Sequence, residues 1–322
     1  MKWLISLVLA LSVPVLSMAA SQPPVGDGQR IVLITGSTGG LGREVARSLA
    51  ALGDHVIVHG RDSARGAALV KEINDKGPGS ASFYRADFAS LDEVRMLAAE
   101  ISRDYSRLDV IVNNAGIALI REPARQVSKA GYELHLQVNY LAGFVLTDLL
   151  LPLLDKSPTP RIVNVSSVAA APLDFDDLML ETGYSAGRAY GQSKLAQVMY
   201  TIELADRLDS GKVVVNALHP ATYMDTGMVL AAGITPASSV MDGRSAVYLA
   251  AGSLRLPYRQ QFLYDGLAAA VEVPLLVFAV RYVGGNWQAL LPRSPWAQGL
   301  VLAAVVLLGA VAAWAIRRRL RR

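Results

Sequence analysis

The 322-residue chain contains no cysteine. Disulfide bonds, thiolate nucleophiles and cysteine-ligated metal sites are therefore excluded, so any chemistry must rest on other side chains. The absence of thiols does not identify a cellular compartment. The length allows one large domain or two smaller ones.

Away from its C-terminal tail, the chain also lacks an excess of basic charge. The formal net charge is +4 and the sequence pI is about 9.3, but five arginines lie in the tail at 317–322. Without them the rest of the chain carries a net charge close to −1. The basic balance therefore indicates a membrane-flanking tail and argues against a nucleic-acid partner.

Long apolar runs with almost no charge lie at both chain ends. Residues 1–20 are predicted to be a signal peptide or an uncleaved N-terminal anchor, and a polar linker follows at 21–29. Residues 296–316 carry no charge over 21 positions, which is long enough for a helix to cross a bilayer core, and the basic tail 317–322 follows. We therefore predict a single-pass membrane protein with a C-terminal transmembrane helix.

Between these ends, short β-rich runs alternate with longer segments of helical periodicity. The β-rich runs are almost wholly apolar, which is typical of parallel strands covered on both faces, and they lie at 30–36, 55–60, 81–87, 108–116, 161–167 and 212–220. Helices are predicted at 41–52, 62–76, 90–104, 129–152 and 186–208. This order predicts an α/β fold with a doubly wound, Rossmann-type parallel sheet in one catalytic domain over 30–266, with a seventh strand at 261–266. Functional residues are expected at the carboxyl ends of the strands.

The first strand is followed by "TGSTGGLG", a glycine-rich turn that leads into a helix. Glycine lets the backbone turn sharply and approach a pyrophosphate, while the helix N-terminus offers free N–H groups. Between a strand and a helix, this turn predicts a dinucleotide site formed by Gly36, Ser37, Thr38, Gly40, Leu41 and Gly42.

The second strand ends without the acidic residue that would accept hydrogen bonds from the adenosine ribose hydroxyls. Gly60 occupies that position and Arg61 follows it. A guanidinium group suits a 2′-phosphate, so the sequence favours NADP over NAD. Asp87, after the third strand, is expected to reach the adenine amino group, and the adjacent Phe88 is predicted to lie at the same cofactor.

Tyr190 lies four residues before Lys194, so a helix would place both on one face. Several other motifs precede this pair: the glycine turn, "NNAG" at 113–116, Asn139, and "IVNVSS" ending at Ser167. Together and in this order they resemble the short-chain dehydrogenase/reductase family over roughly residues 29–266. The resemblance is to retinol-dehydrogenase-like and WW-domain-oxidoreductase-like members.

The resemblance implies that a hydride passes directly between nicotinamide and substrate carbon, with no metal. Tyr190 would be the general acid/base, and the charge of Lys194 would favour its phenolate and bind the nicotinamide ribose. Ser167 would orient the substrate oxygen, with Ser166 on the opposite strand face, and Asn139 would hold a water of a proton relay. Further cofactor contacts are implied for Asn113, Ala115, Gly116, Pro220 and Thr222.

The chain departs from the family pattern in two places. Tyr190 lies 23 positions after Ser167, a longer spacing than in many family members. The segment between them is similar to an insertion in retinol-dehydrogenase-like members, which act on lipophilic alcohols and carbonyls. Ala221 stands where many members have the glycine of His-Pro-Gly. The apolar segment 267–295 resembles nothing recognisable, and an interfacial helix and part of a substrate lid both remain open.

The sequence thus predicts a membrane-anchored, NADP-dependent oxidoreductase whose substrate is a retinoid-, steroid- or lipid-like alcohol or carbonyl. Two alternatives stay open: a nucleotide-sugar epimerase or dehydratase of the extended branch, and a non-catalytic cofactor-binding scaffold. The membrane side is also open, because a cleaved signal would export the domain whereas NADP(H) is normally cytoplasmic. The resemblance implies a homo-oligomer, although membrane tethering leaves the oligomeric state open.

Overall fold

The computed structural model describes residues 25–208 and 212–252. Six strands are present in this part of the chain: β1 Ile31–Ile34, β2 His55–Gly60, β3 Ser80–Arg85, β4 Val110–Asn113, β5 Arg161–Val165 and β6 Val214–Leu218. They form one sheet in the order β3-β2-β1-β4-β5-β6, with every neighbouring pair parallel. This order is that of a doubly wound nucleotide-binding sheet, so the predicted α/β fold is confirmed.

Several predicted segments lie outside the described residues: the N-terminal run 1–20, the start of the linker, the seventh strand at 261–266, the segment 267–295, the transmembrane helix 296–316 and the tail 317–322. The end of the predicted linker, 25–29, is described. It packs on the amino edge of the sheet, where the Gln29 amide donates to the Gly53 carbonyl at 2.8 Å.

Helices cover the sheet on both faces. They are α1 Gly40–Ala51, α2 Ser63–Lys76, α3 Leu91–Asp104, α4 Ala142–Leu154, α5 Ala186–Arg207, α6 Gly227–Ala231 and α7 Val240–Ala250. Successive residues of a strand point to opposite faces. Accordingly, Ile31 and Leu33 pack with α3, α4 and α5, while Val32 and Ile34 pack with α1, α2 and α7.

The helix predicted over 129–152 begins later than expected. Its first turns, Leu136–Leu141, are π-helical and run directly into α4. Upstream, Val127 and Glu133 form an isolated antiparallel bridge, and Gly131 adopts a φ of +87°. This tight excursion prevents helix formation before residue 133, so the boundary predicted from hydrophobic periodicity was wrong by several residues.

The stretch Leu136–Leu154 is the one helix within the described ranges that is long and apolar enough to cross a membrane, and half of that window is buried. Its buried residues, Leu146, Leu150 and Leu154 among them, belong to the core cluster that packs on the sheet. The strong hydrophobicity of this helix is therefore accounted for by its place in the core.

Candidate active site

The predicted site residues gather at the carboxyl edge of the sheet, on loops and on the helices that follow them. Strands β1, β4 and β5 end at Ile34, Asn113 and Val165, and each is followed by a segment that carries predicted residues. β1 and β4 are neighbours at the point where the strand order reverses, which is where a crevice opens in folds of this kind. The glycine turn, the "NNAG" segment and Ser167 therefore converge on one edge.

The glycine turn packs tightly against the segment that follows β4. Gly36 has a φ of +65°, and a Cβ there would lie 2.8 Å from the Ala115 Cα. A Cβ on Gly42 would lie 2.7 Å from the Gly36 carbonyl oxygen. Only glycine fits at these two positions, because real side-chain carbons do not approach backbone so closely.

The N-terminus of α1 has the features of an anion site. Gly39 begins the helix without a side-chain cap and its first turn has no acidic residue, whereas side chains cap α2, α3, α5, α6 and α7. A Cβ on Gly39 would meet no described heavy atom within 4 Å. Unpaired N–H groups beside open space fit a dinucleotide pyrophosphate. The Leu41 side chain points into the core, so only its backbone lies at this turn.

His59 supports the glycine turn through its buried imidazole, a role not predicted from the sequence. Its Nδ1 accepts from the Gly36 N–H at 3.1 Å, its Nε2 lies 3.2 Å from the Ala86 carbonyl oxygen, and its ring stacks on Phe88 at 4.4 Å. Burial lowers the pKa of His59 to about 4, so the ring is neutral and keeps its acceptor nitrogen. Ser37 is also internal, since its hydroxyl bonds Ile34 and His59. The available signal was a histidine at the carboxyl end of β2, a strand whose other histidine, His55, lies at the amino end.

At the end of β2, Gly60 occupies the position where an acidic side chain would bind the ribose hydroxyls of a cofactor. A Cβ on Gly60 would lie 2.6 Å from the Thr38 side chain, so a larger residue would displace that threonine. The Arg61 side chain is 67% exposed, and its Nη1 lies 3.9 Å from an Asp87 carboxylate oxygen. Arg61 is therefore free to turn toward an anionic group placed at this edge.

Asn113 lies at the end of β4 with its side chain turned into the protein. Its Nδ2 donates to Thr147 Oγ1 at 2.9 Å and to Asn164 Oδ1 at 2.8 Å, and Asn164 in turn donates to Thr201 Oγ1. This buried polar chain ties β4, β5, α4 and α5 together beneath the site. The predicted cofactor contact of Asn113 stays a prediction, and its side chain holds the scaffold.

Helix α5 and the end of β5 bring Tyr190, Lys194 and Ser167 together. The Lys194 Nζ lies 5.8 Å from the centroid of the Tyr190 ring. It donates to the Val165 carbonyl at 3.0 Å and to Gln197 Oε1 at 2.9 Å, a contact that the sequence did not predict. Three donors on the ammonium and two described acceptors leave one N–H for a further partner.

The two serines after β5 have different surroundings. The buried Ser166 hydroxyl donates to the Lys194 carbonyl at 2.8 Å, so it fastens the strand end to α5. The Ser167 side chain hydrogen-bonds with Tyr190, and its Oγ also accepts from the Ala169 N–H. Ser167 thus lies beside the phenol, while its contact with the substrate oxygen stays a prediction.

Asn139 lies in the π-helical turn and fastens the loop that follows "NNAG". Its Oδ1 accepts from the Ile117 N–H at 2.7 Å, and its Nδ2 donates to the Ile117 carbonyl and to Ser193 Oγ. A Cβ on Gly116 would lie 3.3 Å from Asn139 Oδ1 and 3.6 Å from Lys194 Nζ. Asn139 therefore borders the lysine, while its relay water stays a prediction.

Burial sets the protonation of the central pair. It raises the pKa of Tyr190, and the hydrogen bond with Ser167 acts in the opposite direction without cancelling it. Burial also lowers the pKa of Lys194 from 10.5 to about 8. At neutral pH the phenol is thus protonated and the lysine still charged. The expected lowering of the Tyr190 pKa by Lys194 stays a prediction.

The loop after β6 carries the remaining predicted residues. Thr222 Oγ1 lies 3.1 Å from His219 Nε2, and the Thr222 carbonyl accepts from Ser238 Oγ at 2.7 Å. The His219 Nδ1 accepts from the Val168 N–H at 3.4 Å, so this histidine joins the loops after β5 and β6. Pro220 lies between them at the strand end, half-buried.

Comparison with known proteins places these features in one family. The family model for short chain dehydrogenase matches residues 30–234. The chain is 40% identical to human retinol dehydrogenase 13 over 195 residues, covering 59% of this chain and 58% of that protein. It is 38% identical to polyprenol dehydrogenase of Danio rerio over 208 residues, covering 62% and 63%.

A solved structure supports the same placement. A short-chain-dehydrogenase-type protein of Escherichia coli CFT073, crystallised in complex with NADPH, superposes with a TM-score of 0.58 at 28% identity, covering 69% of this chain and 90% of that one. The chain spans about three-fifths of the length of the curated relatives it matches. By its fold, its motifs and the matched residues, the chain belongs to the short-chain dehydrogenase family.

Proposed function

We propose that this oxidoreductase transfers a hydride between NADP(H) and a lipophilic alcohol or carbonyl. The observation that carries the proposal is the convergence of Tyr190, Lys194 and Ser167 beside Asn139 at the carboxyl ends of β4 and β5. The extended-branch epimerase gains no support from the relatives named above, which are dehydrogenases.

In the direction of reduction, Tyr190 donates the proton. Its raised pKa keeps the phenol protonated at neutral pH, so Oη can give its proton to the substrate oxygen as negative charge develops there. Ser167 donates a hydrogen bond to the same oxygen and orients it. Bound NADPH would supply a hydride to the carbonyl carbon and leave as NADP+, while the oxygen takes the proton of Tyr190, and the product is the alcohol.

Lys194 has a supporting part in this scheme. Its ammonium stabilises the phenolate that forms when the proton leaves, and its remaining N–H is available for the nicotinamide ribose. The Val165 carbonyl and Gln197 hold the ammonium in place. Asn139 borders the lysine and would hold the relay water that returns a proton.

The 2′-phosphate of NADP would be read at the end of β2. Gly60 stands where an acidic side chain would otherwise be, and its lack of a side chain leaves room for Thr38. The next residue, Arg61, is exposed. A guanidinium supplies charge and planar donors for a phosphate. The E. coli neighbour holds NADPH, which supports the same cofactor here.

A lipophilic substrate is supported by the apolar surface around the site. Eight of the twelve large exposed hydrophobic residues in the described part of the chain lie on segments that leave β4, β5 or β6 at the carboxyl edge: Ile120, Val127, Tyr132, Val168, Phe175, Tyr223, Leu230 and Met241. Such a concentration favours contact with an apolar ligand or a membrane surface. The similarity to retinol and polyprenol dehydrogenases and the predicted membrane span 296–316 also favour a lipophilic substrate.

Replacement of Tyr190 by phenylalanine tests the proposed chemistry. Turnover of all-trans-retinal with NADPH should fall by about a hundredfold or more, because the general acid is gone. NADPH binding, followed by the fluorescence of the cofactor itself, should stay within a few-fold of the wild type. Tyr200→Phe removes a hydroxyl from the same helix among the packed rings of Tyr140 and Phe144, and should leave turnover intact. Undiminished turnover in Tyr190→Phe would refute the acid role.

A further inference from the structure

A buried Glu133–His135 pair lies beside the proposed active site and has no part in the scheme above. Both side chains are 1% exposed, and His135 Nδ1 lies 2.8 Å from Glu133 Oε1. The pair directly precedes the π-helical turn that carries Asn139. A fully buried carboxylate is rare without a specific partner, so the pair needs an explanation.

The hydrogen bonds fix one tautomer of the imidazole. His135 Nε2 accepts from the Leu119 N–H at 3.0 Å, so this nitrogen carries no proton. Nδ1 therefore carries the hydrogen and donates it to Glu133 Oε1. Glu133 Oε2 accepts from the Leu136 N–H at 2.7 Å, which occupies the second carboxylate oxygen. Burial would raise the pKa of Glu133, but these hydrogen bonds outweigh it and the net pKa is lowered, so the group is a carboxylate.

The imidazole contacts two parts of the proposed site at once. Its Nε2 holds Leu119, two residues after Ile117, which Asn139 holds through both backbone groups. Its ring meets the ring of Tyr190 edge-on, with centroids 6.4 Å apart and planes at 84°. His135 thus links the loop after β4 to the proposed general acid.

The pair is also joined to the long segment between Ser167 and Tyr190. The Glu133 N–H donates to Met179 Sδ at 3.4 Å, and Arg125 Nε donates to the Met179 carbonyl at 2.7 Å. The next residue, Leu180, is fully buried at a φ of +51°, a strained conformation that only firm packing maintains. The segment is therefore docked on the stretch that carries Glu133.

We propose that His135 is a positioning residue for the hydride-transfer site: Glu133 selects its tautomer, and His135 then holds the substrate-side loop at Leu119 and the ring of Tyr190 in one arrangement. This inference rests on the proposed function. It assigns two separable contacts to one side chain, the nitrogen to the loop and the ring to the phenol. Loop placement governs substrate binding, and placement of the phenol governs the proton-transfer step.

Two substitutions separate these contacts. In His135→Asn the amide nitrogen can replace Nδ1 and keep the bond to Glu133, but the Leu119 N–H loses its acceptor. In His135→Gln the amide oxygen can replace Nε2 and keep the Leu119 bond. Both lose the ring beside Tyr190. Glu133→Gln removes the tautomer selection and leaves the ring in place.

Steady-state reduction of all-trans-retinal by the full-length chain with NADPH gives the first readout. His135→Asn should raise KM roughly tenfold, the loss expected for one buried N–H left unpaired, while His135→Gln should leave KM near wild type. Both should lower kcat, and Glu133→Gln should raise KM with kcat retained. The matched control is His55→Gln, which removes a buried histidine bonded to Ser80 and Tyr105 at the amino edge of the sheet. If His135→Asn and His135→Gln are folded and match each other in KM and kcat, the proposal is overturned.

Amide hydrogen exchange gives a second readout that does not need turnover. Residues 117–121 should lose protection in His135→Asn and Glu133→Gln but keep it in His135→Gln. Protection that is equal in all three variants overturns the anchoring of the loop. If the wild type does not reduce retinal, that result counts against the proposed function and not against the role of His135. The exchange pattern alone then decides whether His135 anchors the loop.

Discussion

Replacement of Lys194 by methionine tests how burial tunes the proposed site. Lys194 is 4% exposed, and burial lowers its pKa from 10.5 to about 8. Because each pKa unit corresponds to about 1.4 kcal/mol, keeping this lysine charged in the folded protein costs about 3 kcal/mol at neutral pH. Methionine has similar length and no charge, so the variant escapes this cost.

The pH dependence has a definite sign. Between pH values of about 8 and 10.5, the unfolded chain holds the Lys194 proton more strongly than the folded chain does. The folded wild type therefore gains stability as pH rises through this window, and the full cost is felt below it. From about pH 7 to about pH 9.5 the wild type should gain about 2 kcal/mol relative to Lys194→Met.

Urea unfolding of both proteins at a series of pH values measures this difference. Far-UV circular dichroism is the suitable probe, because it follows the helices and strands of the domain directly. Methionine leaves the Val165 carbonyl and Gln197 without their partner, which adds an offset that does not vary with pH. The slope of the difference is therefore the informative quantity. A difference that stays flat from pH 7 to 9.5 would refute the assigned pKa of Lys194.

Two further predictions concern the cofactor turn. Arg61→Ala should weaken NADPH binding about tenfold with little effect on NADH binding. Arg65→Ala, at a similarly exposed arginine on α2, should change neither affinity. Equal loss of affinity for both cofactors in Arg61→Ala would contradict the 2′-phosphate role. Gly36→Ala should destabilise the domain by about 1–3 kcal/mol and abolish NADPH binding, because its φ is +65° and its Cβ would meet Ala115. Gly53 also has a positive φ, +99°, but open space surrounds it, so Gly53→Ala should lower stability while NADPH binding persists. NADPH binding retained in Gly36→Ala would contradict the tight turn.

Local pattern was enough to predict the sheet. Apolar runs and turn glycines follow directly from burial on both faces and from the needs of a strand–turn–helix unit. Five of the six described strands fall within predicted runs, and β3 begins one residue before its run. The start of the helix before Asn139 was not predictable in this way. Its position depends on the bridge between Val127 and Glu133, a pairing that hydrophobic periodicity does not register.

By itself, the sequence determined the fold class and the candidates for chemistry, because these depend on residue type and spacing along the chain. Tyr190, Lys194 and the glycine turn were found from motifs of this kind. Tertiary structure alone decided what surrounds them: His59 beneath the turn, Gln197 on the lysine, and His135 against the phenol. His59 and His135 contact segments that are distant in sequence, and Gln197 meets Lys194 one turn away because that face of α5 is buried. The burial that shifts the pKa values of Tyr190 and Lys194 exists only once the helices close over the sheet.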